Sequence, residues 1–173
     1  MLLLLISTIP FIDKQLTILI YNLRQFHHFS KNFSTWILYF NILINLGYIY
    51  FIGNYKNVFV RYFIELFIIN ILFKSLLDRP RPRNSLIKTA NYIPIYKIHL
   101  TKDWAKNQSF PSGHIATIFT TFLLFENYSI IKHLYLIILG VTGFCRVNLG
   151  EHHVSDCIWS LYICQFSYNY LKF

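Results

Sequence analysis

Acidic side chains are the scarcest class in this chain: 7 Asp and Glu stand against 16 Lys and Arg in 173 residues, and only 13% of residues are charged. A soluble domain carries about 25%, so this deficit, with a mean hydropathy of +0.43, excludes an ordinary water-soluble fold. Glycine (6) and proline (5) are also few, while aromatic residues make up 19%, which rules out a disordered or fibrous chain. Cysteine is limited to Cys145, Cys157 and Cys164, an odd set without a CxxC or Cys/His pattern. Neither a zinc site nor a disulfide framework is expected from it. The length is that of a single domain, residues 1–173.

What the chain does have is long apolar runs. A spanning helix needs roughly 20 mostly apolar residues, and Phe33–Gly53, Val58–Leu77, Ile115–Tyr128, Ile130–Val147 and Val154–Leu171 are read as five spans, Arg61, Glu65 and Lys74 lying in the second. Glu126, Asn127, Lys132 and His133 mark the turn of a hairpin between the third and fourth. Met1–Phe11 is apolar but has no basic region before it and no small-residue cleavage site after it, so it is expected to stay in the mature protein. Asp13, Lys14 and Gln15 would be costly at the bilayer centre. Beyond them Leu16, Leu19, Ile20 and Leu23 share one helical face, with Thr17, Tyr21 and Arg24 around the other, as in a helix lying in the membrane interface. The expected fold is therefore all-α: an integral membrane bundle of five transmembrane helices with an N-terminal amphipathic interfacial helix, or six if the first segment crosses. The net charge of +9 suits a polyanion, but a nucleic-acid face needs a soluble scaffold to display it, and no nucleic acid is expected.

Three clusters carry chemistry. Lys74 is followed after six residues by Arg81-Pro82, within Asp78-Arg79-Pro80-Arg81-Pro82-Arg83. A lysine in an apolar helix beside a proline-braced arginine cluster can clamp a dianion, because guanidinium offers a two-pronged donor to phosphate. The bland alternative is a lysine that snorkels and a solvated loop. Ser109-Phe110-Pro111-Ser112-Gly113-His114 comes immediately before the third span. Free N–H groups at a helix start favour an anion, Ser112 adds a hydroxyl and His114 a proton near neutral pH. The bland alternative is Ser112 as a plain N-cap. Last, Arg146, His152 and Asp156 are separated by five and three residues. The i,i+4 spacing sets the Asp156 carboxylate beside the His152 imidazole, the arrangement of an oriented nucleophile; a structural Asp–His pair is the alternative. Counting spans, all three clusters fall on one face of the membrane. The positive-inside rule would put the loop lysines Lys88, Lys97, Lys102 and Lys106 in the cytoplasm, unless their charge serves a ligand.

The ordered triple of Lys74 with Arg81-Pro82, Pro111-Ser112-Gly113-His114, and Arg146 with His152 and Asp156 resembles the signature of the type 2 phosphatidic acid phosphatase superfamily, which includes bacterial nonspecific acid phosphatases and vanadium haloperoxidases. One departure is Cys145, where the family has serine. The resemblance implies that His152 attacks phosphorus, that Asp156 orients it, and that His114 protonates the leaving oxygen and then activates water. It implies that Lys74, Arg81, Arg146, Ser112 and the Gly113 N–H hold the phosphoryl oxygens. No metal and no cofactor is implied, in keeping with the lack of an acidic cluster around Asp78 or Asp103. The implied activity is hydrolysis of a phosphate monoester or diphosphate of a membrane lipid, at the periplasmic face of a bacterial inner membrane. Undecaprenyl diphosphate, phosphatidylglycerophosphate, phosphatidic acid and a lipid A phosphate are the candidates. A lipid phosphotransferase using the same phosphohistidine, and a non-catalytic binder of anionic lipid, are the competing expectations. His153 lacks an aspartate at i+4 and is assigned a structural or substrate-edge role, Glu151 in the same loop has no role assigned, and the oligomeric state is not legible.

Overall fold

A computed structural model describes residues 10–52, 62–63, 67–85, 93, 99–100, 108–125 and 129–170. Residues 58–61 and 64–66 of the expected Val58–Leu77 span, the loop lysines, and Glu126 and Asn127 of the hairpin turn lie outside the described residues. Helix α1 runs over Pro10–Tyr21 and, after a 3-10 turn at Arg24–Phe26, α2 over His27–Ile52. A π-helical stretch, Phe67–Phe73, leads into the single turn α3, Lys74–Leu76. Strand β1, Leu77–Asp78, pairs antiparallel with β2, His99–Leu100, and the short α4, Pro82–Ser85, follows β1. The long helices α5 (Gly113–Leu124), α6 (Ser129–Asn148) and α7 (Val154–Tyr170) complete the all-α body.

Helix α2 packs on α5 and α6, α5 on α6 and α7, and α1 on α6 and α7. The core between them is built from Ile37 of α2, Ile115, Ile118 and Phe122 of α5, Tyr135 and Leu139 of α6, and Cys157 of α7. Among the described residues, buried polar and charged side chains outnumber buried apolar ones, and large apolar side chains face outward, Trp36 at 71%, Tyr50 at 82% and Ile130 at 87% exposure. Inside, polar groups join the helices: Asn45 Nδ2 donates to Thr121 Oγ1 (2.8 Å) and Tyr135 Oη to Asn41 Oδ1 (3.2 Å). Asn148 donates to the Ile20 and Leu23 carbonyls at 2.8 and 3.0 Å and accepts from Ser30, fastening α1 and α2 to the end of α6. Side-chain amides and hydroxyls are the usual glue where no hydrophobic drive separates helices from lipid.

Among the described residues α6, of 20 residues, is the one helix long and apolar enough by itself to cross a membrane. Helix α5 has 12 residues, about 18 Å of rise, and α2 and α7 dilute their apolar character with the inward Asn41, Asn45, Ser155, Asp156 and Ser160. The expected amphipathic first helix is present, but its polar face is turned inward. Asp13 and Thr17 are buried while Leu16 and Leu19 are exposed, because Asp13 finds a buried arginine.

Candidate active site

Backbone pairing brings the three sequence clusters to one end of the bundle. Ser109 N–H donates to the Arg79 carbonyl (2.8 Å) and Arg83 N–H to the Gly150 carbonyl (3.1 Å). The first bond joins the Arg79–Arg83 segment to the Ser109–His114 loop, and the second joins it to the α6–α7 turn. Ser160 Oγ joins the other pair, accepting from the Ser112 N–H and donating to the Asp156 carbonyl, both at 2.7 Å. Gly150 allows the close approach: its φ is +66°, and a Cβ there would lie 2.8 Å from the Tyr21 ring and 2.9 Å from Arg83 Cβ.

His152 is buried, and its Nδ1 lies 2.5 Å from the Ser109 carbonyl oxygen. A carbonyl only accepts, so Nδ1 carries the proton and Nε2 keeps its lone pair. Burial, with the nearby cations Arg146 and Lys74, holds the His152 pKa well below its ordinary value, so the ring is neutral at neutral pH. Asp156 Oδ2 is 4.0 Å from Nδ1, beyond hydrogen-bond reach. The carboxylate stands beside the imidazole, as the i,i+4 spacing predicts, but the hydrogen bond that fixes the tautomer comes from Ser109.

Asp156 is instead held by its own network. Its Oδ2 accepts from the His153 N–H (2.8 Å) and its Oδ1 from Arg79 Nη1. Arg79, fully buried, also reaches Asp13 Oδ2 (3.0 Å), Ser155 Oγ (2.8 Å) and the Ile93 carbonyl (3.1 Å). Asp13 in turn accepts from Ser155 N–H and Oγ at 2.8 and 2.6 Å. Sequence reading leaves Arg79 among the surrounding charges of the basic loop and treats Asp13 only as a membrane cost. The available signal was the pair itself, since a carboxylate in an apolar segment demands a cation. His153 is buried, with burial and Arg79 holding its pKa well below the ordinary value.

The residues expected to bind phosphate retain unused donors. Ser112 sits at the N-cap of α5 but makes no capping bond. Its Oγ, Arg81 Nε and Arg146 Nε are all buried without a hydrogen-bond partner among the described residues. Lys74, Gly113 and His114 line a cavity of about 310 Å³ whose other walls are Leu38, Ile42, Tyr62 and Thr117. The lining thus combines a lysine and a histidine with apolar side chains. Glu151, unresolved by sequence reading, accepts from Arg81 and Arg83 and lies 3.7 Å from Arg146. Cys145, at the position of the family serine, is buried. Among the described residues no group of three or more His, Cys, Asp or Glu is placed to hold a metal ion.

A protein-family model described as the PAP2 superfamily matches residues 54–171. No curated protein and no solved structure matches the chain.

Proposed function

The chain belongs to the PAP2 superfamily, a membership that implies phosphatase action on phosphate esters, and from it we propose that the protein hydrolyses a phosphate monoester or diphosphate of a membrane lipid through a phosphohistidine on His152. The observation that carries this reading is the set of buried, unpartnered donors on Ser112, Arg81 and Arg146. A buried donor without an acceptor costs about 1–3 kcal/mol, and three on residues of three separate segments are best explained by an anion that completes them. The neighbouring cavity, basic at Lys74 and apolar at Leu38 and Ile42, suits a headgroup joined to a hydrocarbon chain.

In the first step the Nε2 lone pair of His152 attacks phosphorus as the P–O ester bond breaks. The leaving oxygen takes a proton from His114. Its pKa, pulled down to about 3 by burial and by Arg146, Lys74 and Arg81, rises as the negative charge of the bound phosphate offsets those cations, so that the ring enters the step protonated. The imidazole then carries positive charge, with its Nδ1–H on the Ser109 carbonyl and Asp156 4.0 Å away as counter-charge. Lys74, Arg81, Arg146, Ser112 and the Gly113 N–H balance the charge on the phosphoryl oxygens. In the second step water gives a proton to His114 and its oxygen bonds to phosphorus. The P–N bond breaks, releasing inorganic phosphate and restoring neutral His152.

We place this site at the periplasmic face of a bacterial inner membrane, on a bundle of five spans. The outward apolar side chains of α2 and α6 support a membrane bundle, and the gathering of all three clusters at one end supports one site at one face of it. The test is phosphate release in detergent from undecaprenyl diphosphate, phosphatidylglycerophosphate, phosphatidic acid and lipid A. Release from one of them by the purified protein, absent in His152→Ala, is expected. Transfer of the phosphate to an added acceptor lipid in place of free phosphate would mark a phosphotransferase. Equal function of His152→Ala would mark a non-catalytic binder.

A further inference from the structure

Glu151 has no part in the steps above, yet it meets three arginines, two of them among the phosphate-binding cations. One carboxylate oxygen, Oε1, accepts from Arg83 Nη1, and the other, Oε2, accepts from Arg81 Nη1 with Arg146 Nη2 at 3.7 Å. The Glu151 side chain is 12% exposed, as is that of Arg146, against 41% for Arg83. Three guanidiniums that would repel one another are thus gathered on a single carboxylate, most of it out of water.

Two roles fit a carboxylate in this place. It could be an internal competitor, occupying the donors that a phosphate needs, or it could hold the arginines in the posture that a phosphate needs. The unused atoms decide between them. Glu151 takes Nη groups, while Nε of Arg81 and Nε of Arg146 stay buried and without a partner among the described residues. A competitor would be expected to consume those donors; a brace leaves them open. The charge agrees, since three guanidiniums against one carboxylate leave a net positive charge beside Lys74, as a bound phosphate dianion needs.

We propose that Glu151 is a positioning residue, which holds the Nη end of Arg81 by a hydrogen bond and that of Arg146 by charge at 3.7 Å, so that their Nε–H donors are presented to the phosphate dianion of the substrate. The inference rests on the phosphatase reading for its substrate, but its test does not. A flexible guanidinium loses rotamer freedom when it binds, and a partner that has already fixed it removes that cost from the binding step.

The test compares wild-type protein with Glu151→Gln in detergent, using inorganic phosphate as the probe in calorimetry and a hydrolysable lipid phosphate for kinetics. Glu151→Gln is expected to weaken phosphate binding about tenfold, the size of one charged hydrogen bond. KM rises by the same factor and kcat stays within about twofold, a split that partial unfolding does not produce. Simple electrostatics predicts the opposite, because loss of a negative charge strengthens the field on an anion. Unchanged or tighter phosphate binding therefore overturns the proposal. If Glu151→Gln fails to fold, Glu151→Asp decides: one methylene shorter, it cannot span both arginines and must weaken phosphate binding several-fold, and unchanged binding again overturns the proposal. Should no lipid be turned over at all, the phosphatase reading fails while the calorimetry still tests the brace.

Discussion

The proton on His152 is fixed at Nδ1 by the Ser109 carbonyl, a backbone group that no residue pattern advertises. Spacing does reveal that Asp156 stands near the imidazole, because i,i+4 neighbours share a helix face. It does not reveal that this carboxylate is already bonded to Arg79 and the His153 N–H. The buried, neutral state of His152 and His153 has a consequence for stability. Both pKa values lie well below the ordinary 6.5 in the folded protein, so below that pH the unfolded chain binds more protons. Stability is then complete above pH 6.5 and is lost as pH falls toward the folded values, by about 1.4 kcal/mol per histidine for each pH unit. The thermal midpoint in detergent should fall between pH 6.5 and 5, and His153→Gln should flatten that fall. A midpoint independent of pH over this range would contradict the buried neutral pair. At the same scale, Ser112→Ala should lower phosphate release without lowering the thermal midpoint, since its hydroxyl makes no capping bond. A loss of stability in that variant would return Ser112 to the role of a plain cap, worth about 1 kcal/mol.

Two junctions between elements set the site. The α6–α7 turn depends on Gly150, whose φ of +66° and closeness to Tyr21 and Arg83 leave no room for a side chain. Gly150→Ala adds the left-handed penalty of about 1–2 kcal/mol to the steric clash. It should lower the thermal midpoint and displace the loop carrying Glu151 and His152; wild-type stability and activity in this variant would show that the turn relaxes freely. The second junction is Asp13–Arg79–Asp156, which joins α1 to the start of α7. Removing one partner of a buried pair typically costs 3–5 kcal/mol, roughly, so Asp13→Asn should destabilise the protein on that scale in chemical unfolding. A change within error would mean that Ser155 and Asp156 suffice for Arg79. Helix α1 precedes the segment that matches the family model, so this dependence would make residues outside that segment necessary for the site. The helices themselves were legible from apolar runs: Ile130–Val147 is realised as Ser129–Asn148, and Phe33–Gly53 lies within His27–Ile52 but for its last residue. Which way α1 faces was not, because its leucines and its polar residues both sit at helical spacing and only the partner Arg79, distant in sequence, decides between them.

At the scale of the whole molecule, the described residues bury many polar groups beside the apolar core and leave many large apolar side chains exposed, a balance unusual for a water-soluble domain. The low charge content made this legible from composition alone. The excess of cations was legible only in part: Arg79 serves a buried network, Arg81, Arg83 and Arg146 gather on Glu151, and spacing cannot tell a structural arginine from a ligand-binding one two residues away. The protein should remain with membranes after washing with high salt and alkaline carbonate and leave them only with detergent. Release by salt alone would contradict the bundle. The central claim is that phosphorus is transferred to His152, and trapping the intermediate tests it most directly. Brief reaction with a lipid substrate labelled in the scissile phosphate, followed by denaturation at alkaline pH, should leave label on the protein that is stable to base, released by acid and absent from His152→Ala. Hydrolysis of the same substrate with no label on the wild-type protein under these conditions, or label of equal amount on His152→Ala, would contradict the account.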